Sequence, residues 1–198
     1  MIWFTSDLHL CNNNIIQYCS RPFRDAIDMN LGLISNWNGK VSKTDTVYVL
    51  GDFIMCGNNK ERVMDIINTL NGKIYLILGD HDRSSQGARH RRLKIVDRIF
   101  DIKPKDCPPI ILSHYPIHRW AKSHYNSWHL YGHCHGRLDL HGKTHDVGVD
   151  INRYSPISLD KIIEIMRSKP DNPNLIKKRE KDVKSIELKQ LELPFYQK

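Results

Sequence analysis

Apolar and polar positions along the first half of the chain follow the order strand, two helices, strand, helix, strand. Short apolar runs that stop at polar residues predict buried strands, and apolar residues spaced three and four apart predict helices. The predicted strands are Ile2–Ser6, Thr46–Leu50 and Lys73–Leu78, and the predicted helices are Asn12–Ser20, Asp25–Trp37 and Glu61–Leu70. Such alternation is typical of an α/β domain with parallel strands.

Within these helices the apolar residues recur at helical spacing. In Asp25–Trp37 they are Ile27, Leu31 and Ile34, and in Glu61–Leu70 they are Val63, Ile66, Ile67 and Leu70. The second half of the chain carries shorter β-type segments at Ile95–Ile102, Pro109–Ser113, Trp128–Tyr131 and Thr144–Val149, and then a helical pattern at Ser158–Met166. The order predicts two packed sheets flanked by helices.

The pattern changes after Lys169. Pro170-Asp-Asn-Pro173 is typical of a linker, and residues 177–198 form a charged, helix-like tail with few apolar positions. We therefore predict a domain at residues 1–169 and a basic C-terminal tail at residues 170–198, helical or mobile.

Composition narrows the class of protein. Of the 198 residues 40% are hydrophobic and 26% are charged, as in globular proteins. No apolar run approaches the ~20 residues of a membrane helix, and the start lacks a signal-peptide pattern, so we expect a cytoplasmic protein without a membrane partner. The five cysteines are scattered without a Cys-x-x-Cys pair, which predicts that most are reduced thiols and that they form neither a disulfide framework nor a thiolate zinc site.

The chain is basic, with a formal net charge of +8 and a pI near 9.3. This charge favours a phosphorylated small molecule, a nucleotide or nucleic acid as the partner, although a Lys-rich surface alone produces the same balance.

Carboxylates and imidazoles follow the ends of five predicted strands. The segments are Asp7-Leu8-His9, Gly51-Asp52, Gly79-Asp80-His81-Asp82, Ser113-His114 and Gly132-His133-Cys134-His135-Gly136. Active sites form at the carboxyl ends of parallel strands, and a mixed imidazole and carboxylate set suits Mn²⁺, Fe or Zn²⁺. About seven donors are too many for one such ion and enough for two.

In these segments the chain resembles the calcineurin-like metallophosphoesterase superfamily, whose signature runs D-x-H, G-D, G-N-H-D/E, H and G-H-x-H. The resemblance covers roughly residues 1–166 and is greatest to small single-domain bacterial and phage members. Those members are also similar to this chain at Asn14-Ile15-Ile16, Asp146-Val-Gly-Val-Asp150 and Ser155-Pro-Ile-Ser-Leu159. The resemblance implies a four-layer α/β sandwich of two mixed β-sheets flanked by helices.

The resemblance also implies that seven side chains hold two divalent transition-metal ions, with Mn²⁺ preferred and Fe, Zn²⁺ or Ni²⁺ as alternatives. The implied ligands are Asp7, His9 and His135 for the first ion, Asp80, His114 and His133 for the second, and Asp52 as the bridge. His81 is expected to assist the leaving group as a catalytic residue, with Asp82 as its orienting partner. Arg83, Tyr115, His118 and Arg119 are candidate substrate contacts.

The implied function is hydrolysis of phosphodiester or phosphomonoester bonds by a hydroxide that two metals activate. Nucleotides, cyclic nucleotides or nucleic-acid phosphates are the preferred substrates, and the protein is expected to be a monomer or a homodimer. Protein phosphatases of the superfamily usually carry G-D-x-V-D-R-G, whereas this chain reads Gly51-Asp-Phe-Ile-Met-Cys-Gly57, so a phosphodiesterase is favoured over a protein phosphatase.

Two departures from the signature leave alternatives open. Asp80 stands where the family usually has Asn, and Cys11-Asn12 stands where close relatives place Gly-His. The extra charge of Asp80 predicts tighter metal binding and slower chemistry. A catalytically weak or silent dimetal scaffold is therefore one alternative, and a nucleic-acid-binding protein that uses its basic tail is another.

Overall fold

The computed structural model describes residues 1–176, and the helix-like tail predicted at residues 177–198 lies outside them. The strands are β1 Ile2–Thr5, β2 Thr46–Leu50, β3 Lys73–Ile77, β4 Leu93–Val96, β5 Ile99–Ile102, β6 Ile110–Ser113, β7 Trp128–Tyr131, β8 Thr144–Asp146 and β9 Ile157–Ser158. The helices are α1 Asn14–Tyr18, α2 Ala26–Asn38, α3 Lys60–Thr69, α4 Arg83–Gln86 and α5 Leu159–Ser168, and a 3-10 turn spans Ser123–Tyr125.

The strands form two mixed sheets. The first has five strands in the order β4-β3-β2-β1-β9, of which only β9 runs antiparallel to its neighbour. The second has four strands in the order β5-β6-β7-β8, of which only β5 is antiparallel to its neighbour. The predicted α/β fold with two sheets and flanking helices is confirmed.

Each face of the first sheet packs against a hydrophobic core, which explains why its central strands are mostly apolar. On one face Val47 and Val49 of β2 join a core with α2 and α3. On the other face Leu50 and Ile77 join a core that includes Leu112 of the second sheet and residues of α5. Packing on both sides places the carboxyl ends of β1, β2 and β3 beside those of β6 and β7.

Helix α2 buries a different face from the one marked by Ile27 and Leu31. Those two side chains are each 66% exposed, whereas Met29, Leu33 and Trp37 are buried. Trp37 stacks on Phe53 and donates from Nε1 to the carbonyl of Asn71. The helix has two apolar stripes, and the one that packs against the sheet carries Trp37.

The single predicted segment Ile95–Ile102 is wrong, because it divides into two strands. β4 pairs with β3 in the first sheet, and β5 pairs with β6 in the second. The chain therefore changes sheets at Asp97-Arg98, where two polar residues interrupt the apolar run. Periodicity within one run does not indicate which sheet each half joins.

The segment after α5 packs on the body of the protein. The buried amide of Asn172 donates to the carbonyls of Ser123 and Ser127 at 2.9 Å each and accepts from the backbone N of Lys143 at 2.7 Å. The domain boundary at residue 169 stays a prediction. None of the helices between residues 1 and 176 combines the length and the apolar character needed to cross a membrane.

Candidate metal centre

The polar segments that follow β1, β2, β3, β6 and β7 meet at one end of the two sheets. Side chains of Asp7, His9 and His135 bring one ligand atom each to within 4.8 Å of one another, as do those of Asp80, His114 and His133. Asp52 belongs to two further groups of this kind, with Asp7 and His114 and with Asp80 and His81. Asp52 thus lies beside residues of both clusters, and its role as a bridging ligand stays a prediction.

Five of these residues have left-handed backbone conformations, which residues other than Gly rarely adopt. The φ angles are 57° for Asp7, 49° for His9, 53° for Asp52, 68° for His133 and 48° for His135. Such outliers cost of order 1–3 kcal/mol each and persist only where surrounding contacts hold them. Their concentration here indicates that the backbone is shaped to aim these side chains inward.

Small residues beside the cluster allow the loops to approach one another. A Cβ on Gly51 would overlap the ring of His114, and one on Gly79 would overlap the carboxylate of Asp52. A Cβ on Gly132 would lie 2.7 Å from Oδ2 of Asp7. Each glycine precedes a polar residue of the cluster, so the Gly-Asp and Gly-His pairs have a steric cause.

The buried atoms of the first cluster fit a cation. Nε2 of His9 is buried and has no hydrogen-bond partner among residues 1–176, and it lies 3.4 Å from Oδ2 of Asp52. Burial raises the pKa of Asp7 well above its usual range, and the nearby charges of Asp146 and Asp52 raise it further. A divalent ion bound here would offset the negative charge of these closely spaced carboxylates and accept Nε2 of His9 as a ligand.

His135 is oriented by a second layer of charged residues. Its Nδ1 lies 2.7 Å from Oδ2 of Asp150, and the Arg21 guanidinium donates to both Asp150 oxygens at 2.8 Å. Burial alone would raise the pKa of Asp150, but hydrogen bonds from His135 and Arg21 lower it below the usual value. Donation from Nδ1 to a carboxylate leaves Nε2 of His135 free for a metal.

Arg21 has a structural role that its sequence position did not indicate. Its side chain is buried. Besides Asp150 it donates to the backbone carbonyls of Asp7 and Leu8 at 2.7 and 3.0 Å. It therefore stabilises the Asp7-Leu8-His9 turn from its buried side and does not line the cavity over the cluster.

His114 is oriented by the backbone. Its Nδ1 lies 2.8 Å from the carbonyl of Leu50, which leaves Nε2 facing Oδ1 of Asp80 at 2.9 Å and Nδ1 of His133 at 3.2 Å. Burial would raise the pKa of Asp80, yet a backbone hydrogen bond and the nearby imidazoles of His114, His81 and His133 lower it. Asp80 is therefore poised to bind a cation as a carboxylate.

The predicted pairing of His81 with Asp82 is corrected by the structure. Both oxygens of the buried Asp82 carboxylate accept from backbone N atoms, those of Asp52 and Phe53 at 2.9 Å and that of Gly79 at 2.7 Å. His81 instead has Nε2 at 3.3 Å from Oδ2 of Asp80. Through these three hydrogen bonds Asp82 links the turn after β2 to the turn after β3. Without the carboxylate, three buried backbone N–H groups would have no acceptor.

His81 stands at the mouth of the cluster. Its side chain is 50% exposed, and its backbone N donates to Oδ1 of Asp52 at 3.1 Å. A cavity of about 330 Å³ opens over the cluster, and its lining residues are His9, Asn12, Asn14, Ile15, Tyr18, Asp52, Met55, His81, His133 and His135. A substrate in this cavity would contact both predicted metal groups and the His81 imidazole.

The candidate substrate contacts fall into two sets. The Tyr115 ring lies 4.6 Å from that of His133, and Arg83 lines a shallow cleft together with Asp80 and His81. In contrast, His118 and Arg119 line a separate cavity of about 220 Å³ with Trp120, Leu140, His141 and Asn174. The polypeptide turns away after Tyr115, so proximity in sequence to His114 did not place His118 and Arg119 in the cleft.

One pair of cysteines departs from the reduced state expected of most of them. Cys11 and Cys56, 45 positions apart, form a disulfide, whereas Cys19, Cys107 and Cys134 are free. An isolated parallel β-bridge between Leu10 and Ile54 brings the segments that carry these two cysteines together. The disulfide joins the loop after His9 to the loop after Asp52, and no sequence spacing indicates this pairing.

Comparison with known proteins agrees with this geometry. A family model described as calcineurin-like phosphoesterase matches residues 1–187. An uncharacterized protein of Methanocaldococcus jannaschii is 32% identical over 172 residues, which cover 83% of this chain and 90% of that protein. The gene 66 protein of Mycobacterium phage D29 is 30% identical over 161 residues, which cover 73% of this chain and 78% of the phage protein.

One solved structure has the same fold. The crystal structure of a protein of unknown function from Aquifex aeolicus aligns with a TM-score of 0.66 and 25% identity, over 83% of this chain and 98% of that one. The alignment thus extends over most of this chain and nearly all of that one.

Proposed function

This chain belongs to the calcineurin-like phosphoesterase family, and from that premise we propose that it hydrolyses phosphodiester bonds of nucleotides or nucleic-acid ends with two divalent metal ions. Family membership supports metal-dependent phosphoester hydrolysis. The choice of a diester and of a nucleotide is the finer proposal. The observation that carries the two-metal part of the proposal is the position of Asp52 beside both the Asp7–His9–His135 and the Asp80–His114–His133 groups.

The donor set favours Mn²⁺, with Fe, Zn²⁺ or Ni²⁺ as alternatives, because it mixes four imidazoles with three carboxylates. When bound, such a pair of ions lowers the pKa of water toward ~7 and offsets the charge that the phosphoryl group gains in the transition state. The protein's own contribution is to hold the ligands in place through Asp150, Arg21 and Asp82.

His81 is proposed to donate a proton to the leaving oxygen. It is the half-exposed imidazole at the mouth of the cavity, and Asp80 lies 3.3 Å from its Nε2. The neighbouring carboxylate orients the ring, so Asp80 takes the orienting role first expected of Asp82. Proton donation of this kind contributes typically ~10²–10⁴-fold to the rate.

A hydrolysis screen tests the proposal. Protein reconstituted with Mn²⁺ should be compared on bis(p-nitrophenyl) phosphate, p-nitrophenyl phosphate and the 2′,3′- and 3′,5′-cyclic nucleotides, beside the variants His9→Ala and Asp52→Asn. We expect diester hydrolysis that both variants abolish. The exposed His141→Ala should retain it, as a control for loss of a histidine.

The alternatives give different results in the same screen. A protein that binds two equivalents of metal and hydrolyses none of the four esters would be a catalytically silent scaffold. That is the alternative suggested by Asp80 in place of the usual Asn. Strong preference for the monoester, together with activity on a phosphopeptide, would favour a protein phosphatase. Loss of Asp52 without loss of hydrolysis would contradict the proposed mechanism.

A further inference from the structure

One wall of the cavity over the metal cluster has no part in the proposed hydrolysis. It is formed by helix α1, from which Asn14, Ile15 and Tyr18 line the cavity. The Tyr18 side chain is 63% exposed. An exposed ring at this place has a use if the organic part of the substrate lies against it.

Arg137 holds the Tyr18 ring in one position. Its guanidinium lies 4.5 Å from the ring centroid, and its Nη2 donates to the backbone carbonyl of Tyr18 at 2.8 Å. Arg137 follows the His133-Cys134-His135 turn by two residues, so this contact ties α1 to the loop that carries two predicted ligands. A cation–π contact together with a backbone hydrogen bond fixes both the ring and its helix.

The geometry places the ring next to the reacting end of the cavity. Its centroid lies 6.3 Å from that of His135, with the two rings nearly perpendicular at 77°. Arg137 lies over one face of Tyr18, and at 63% exposure the ring still offers surface to a flat group. A flat group that stacks there would be adjacent to a phosphate held at the cluster.

We propose that Tyr18 determines substrate specificity by stacking on the base of a nucleotide whose phosphate lies at the metal cluster. This inference rests on the proposed function and narrows its substrate class to esters that carry a nucleobase. Every base has a flat π-face, so an aromatic platform accepts bases with little sequence preference. Asn14, one helical turn before Tyr18, offers an exposed amide donor and acceptor to the edge of the base.

The first test measures binding. Adenosine 5′-monophosphate and ribose 5-phosphate share the sugar and the phosphate and differ only in the base. Titration calorimetry with the Mn²⁺-reconstituted full chain should show the nucleotide binding roughly 10- to 100-fold more tightly, the range typical of one stacked base. Tyr18→Leu should reduce that ratio to near one, whereas Tyr18→Phe should retain it.

Control variants separate stacking from general damage. Tyr125 is 69% exposed and lies outside the cavity lining, so Tyr125→Leu should leave the binding ratio unchanged. Arg137→Met removes the cation and the hydrogen bond, and it should lower the ratio in wild type but not in Tyr18→Leu. A ratio that survives Tyr18→Leu, or that disappears in Tyr18→Phe, would overturn the proposal.

The second test separates this inference from the proposed function. A dinucleoside phosphodiester and its abasic counterpart should be compared as substrates, with bis(p-nitrophenyl) phosphate as the generic ester. Tyr18→Leu should raise KM for the dinucleotide about 10- to 100-fold with little change in kcat and leave the abasic diester unaffected. Equal effects on both diesters would reject the role of Tyr18 while hydrolysis itself stands. If none of the esters is hydrolysed, the proposed function fails, and the binding ratio still decides whether a base stacks on Tyr18.

Discussion

The carboxylate of Asp150 lies 2.7 Å from Nδ1 of His135, and the same carboxylate accepts hydrogen bonds from Nε and Nη2 of the buried Arg21. A predicted metal ligand near the end of β7 is thereby oriented by an acid that comes fifteen residues later and an arginine from the loop after α1. Such outer contacts determine which imidazole nitrogen faces the metal and how basic it is.

Replacement of Asp150 by Asn should weaken metal binding at His135. The amide can still accept from Nδ1 but carries no charge, and it leaves Arg21 without its ionic partner. Loss of an outer-layer partner typically lowers metal affinity or activity by about 10- to 100-fold. Metal titration of the apoprotein measures this, with Asp139→Asn as a control because Asp139 has a side chain that is 90% exposed. Equal affinities in the two variants would refute the role of Asp150.

Replacement of His81 by Ala should lower kcat by roughly 10²–10⁴-fold without loss of bound metal. The side chain stands at the mouth of the cavity and belongs to neither the Asp7–His9–His135 group nor the Asp80–His114–His133 group. Steady-state kinetics and metal analysis of the same preparation measure both properties. A variant that retains about half of the metal would reassign His81 as a ligand.

Replacement of Asp82 by Ala should destabilise the fold. The change would leave three buried backbone N–H groups at Asp52, Phe53 and Gly79 without an acceptor. Each unpaired buried group costs about 1–3 kcal/mol, so the free energy of unfolding should fall by about 3 kcal/mol or more. Denaturant unfolding of the metal-free protein measures the loss, and the exposed Asp65→Ala is the matched control. A loss below 1 kcal/mol would show that other groups replace the carboxylate.

Replacement of Asp80 by Asn should weaken metal retention and raise turnover at saturating metal. The carboxylate of Asp80 lies 2.9 Å from Nε2 of His114, inside the second candidate group. Removal of one negative charge there weakens attraction for the cation and increases the Lewis acidity of the ion that is bound. Turnover measured against metal concentration separates the two effects. Lower turnover at every metal concentration would contradict this expectation.

The protein should lose stability as the pH falls from about 6.5 toward about 4, and His129 should contribute to that loss. Burial lowers the pKa of His129 to about 4, although its hydrogen bond to Ile111 opposes the shift. The unfolded chain binds a proton near pH 6.5 and the native ring does not, so acid favours unfolding. The full effect of such a shift is on the order of 3 kcal/mol.

Urea unfolding of the metal-free protein between pH 7 and pH 4.5 measures this slope. His129→Gln should flatten the slope, because the amide does not titrate in this range. The exposed His141→Gln should leave it unchanged. Equal slopes in wild type and His129→Gln would refute the contribution of His129. Burial also lowers the pKa of His145 to about 4, so part of the slope should remain in the variant.

Much of the fold was predictable because local pattern and burial agree. The bounds of β2 and β7 match the apolar runs at Thr46–Leu50 and Trp128–Tyr131, since both strands are buried. Helix α2 begins after Asp25, whose side chain accepts from the backbone N of Ile27 and of Asp28 as a capping residue does. In contrast, the exposed Ile27 and the division between β4 and β5 depended on which surfaces the sheets offered.

The sequence by itself determined that these donor side chains gather in one place, because side chains that follow strand ends in a parallel sheet meet at one edge. Only the tertiary structure decided what supports them: the contact of Asp150 with His135, the three amides on Asp82, the burial of Arg21, the disulfide between Cys11 and Cys56, and the ring of Tyr18 beside the cavity. These relationships join residues distant along the chain, and their energies depend on distance and burial, which local spacing does not encode.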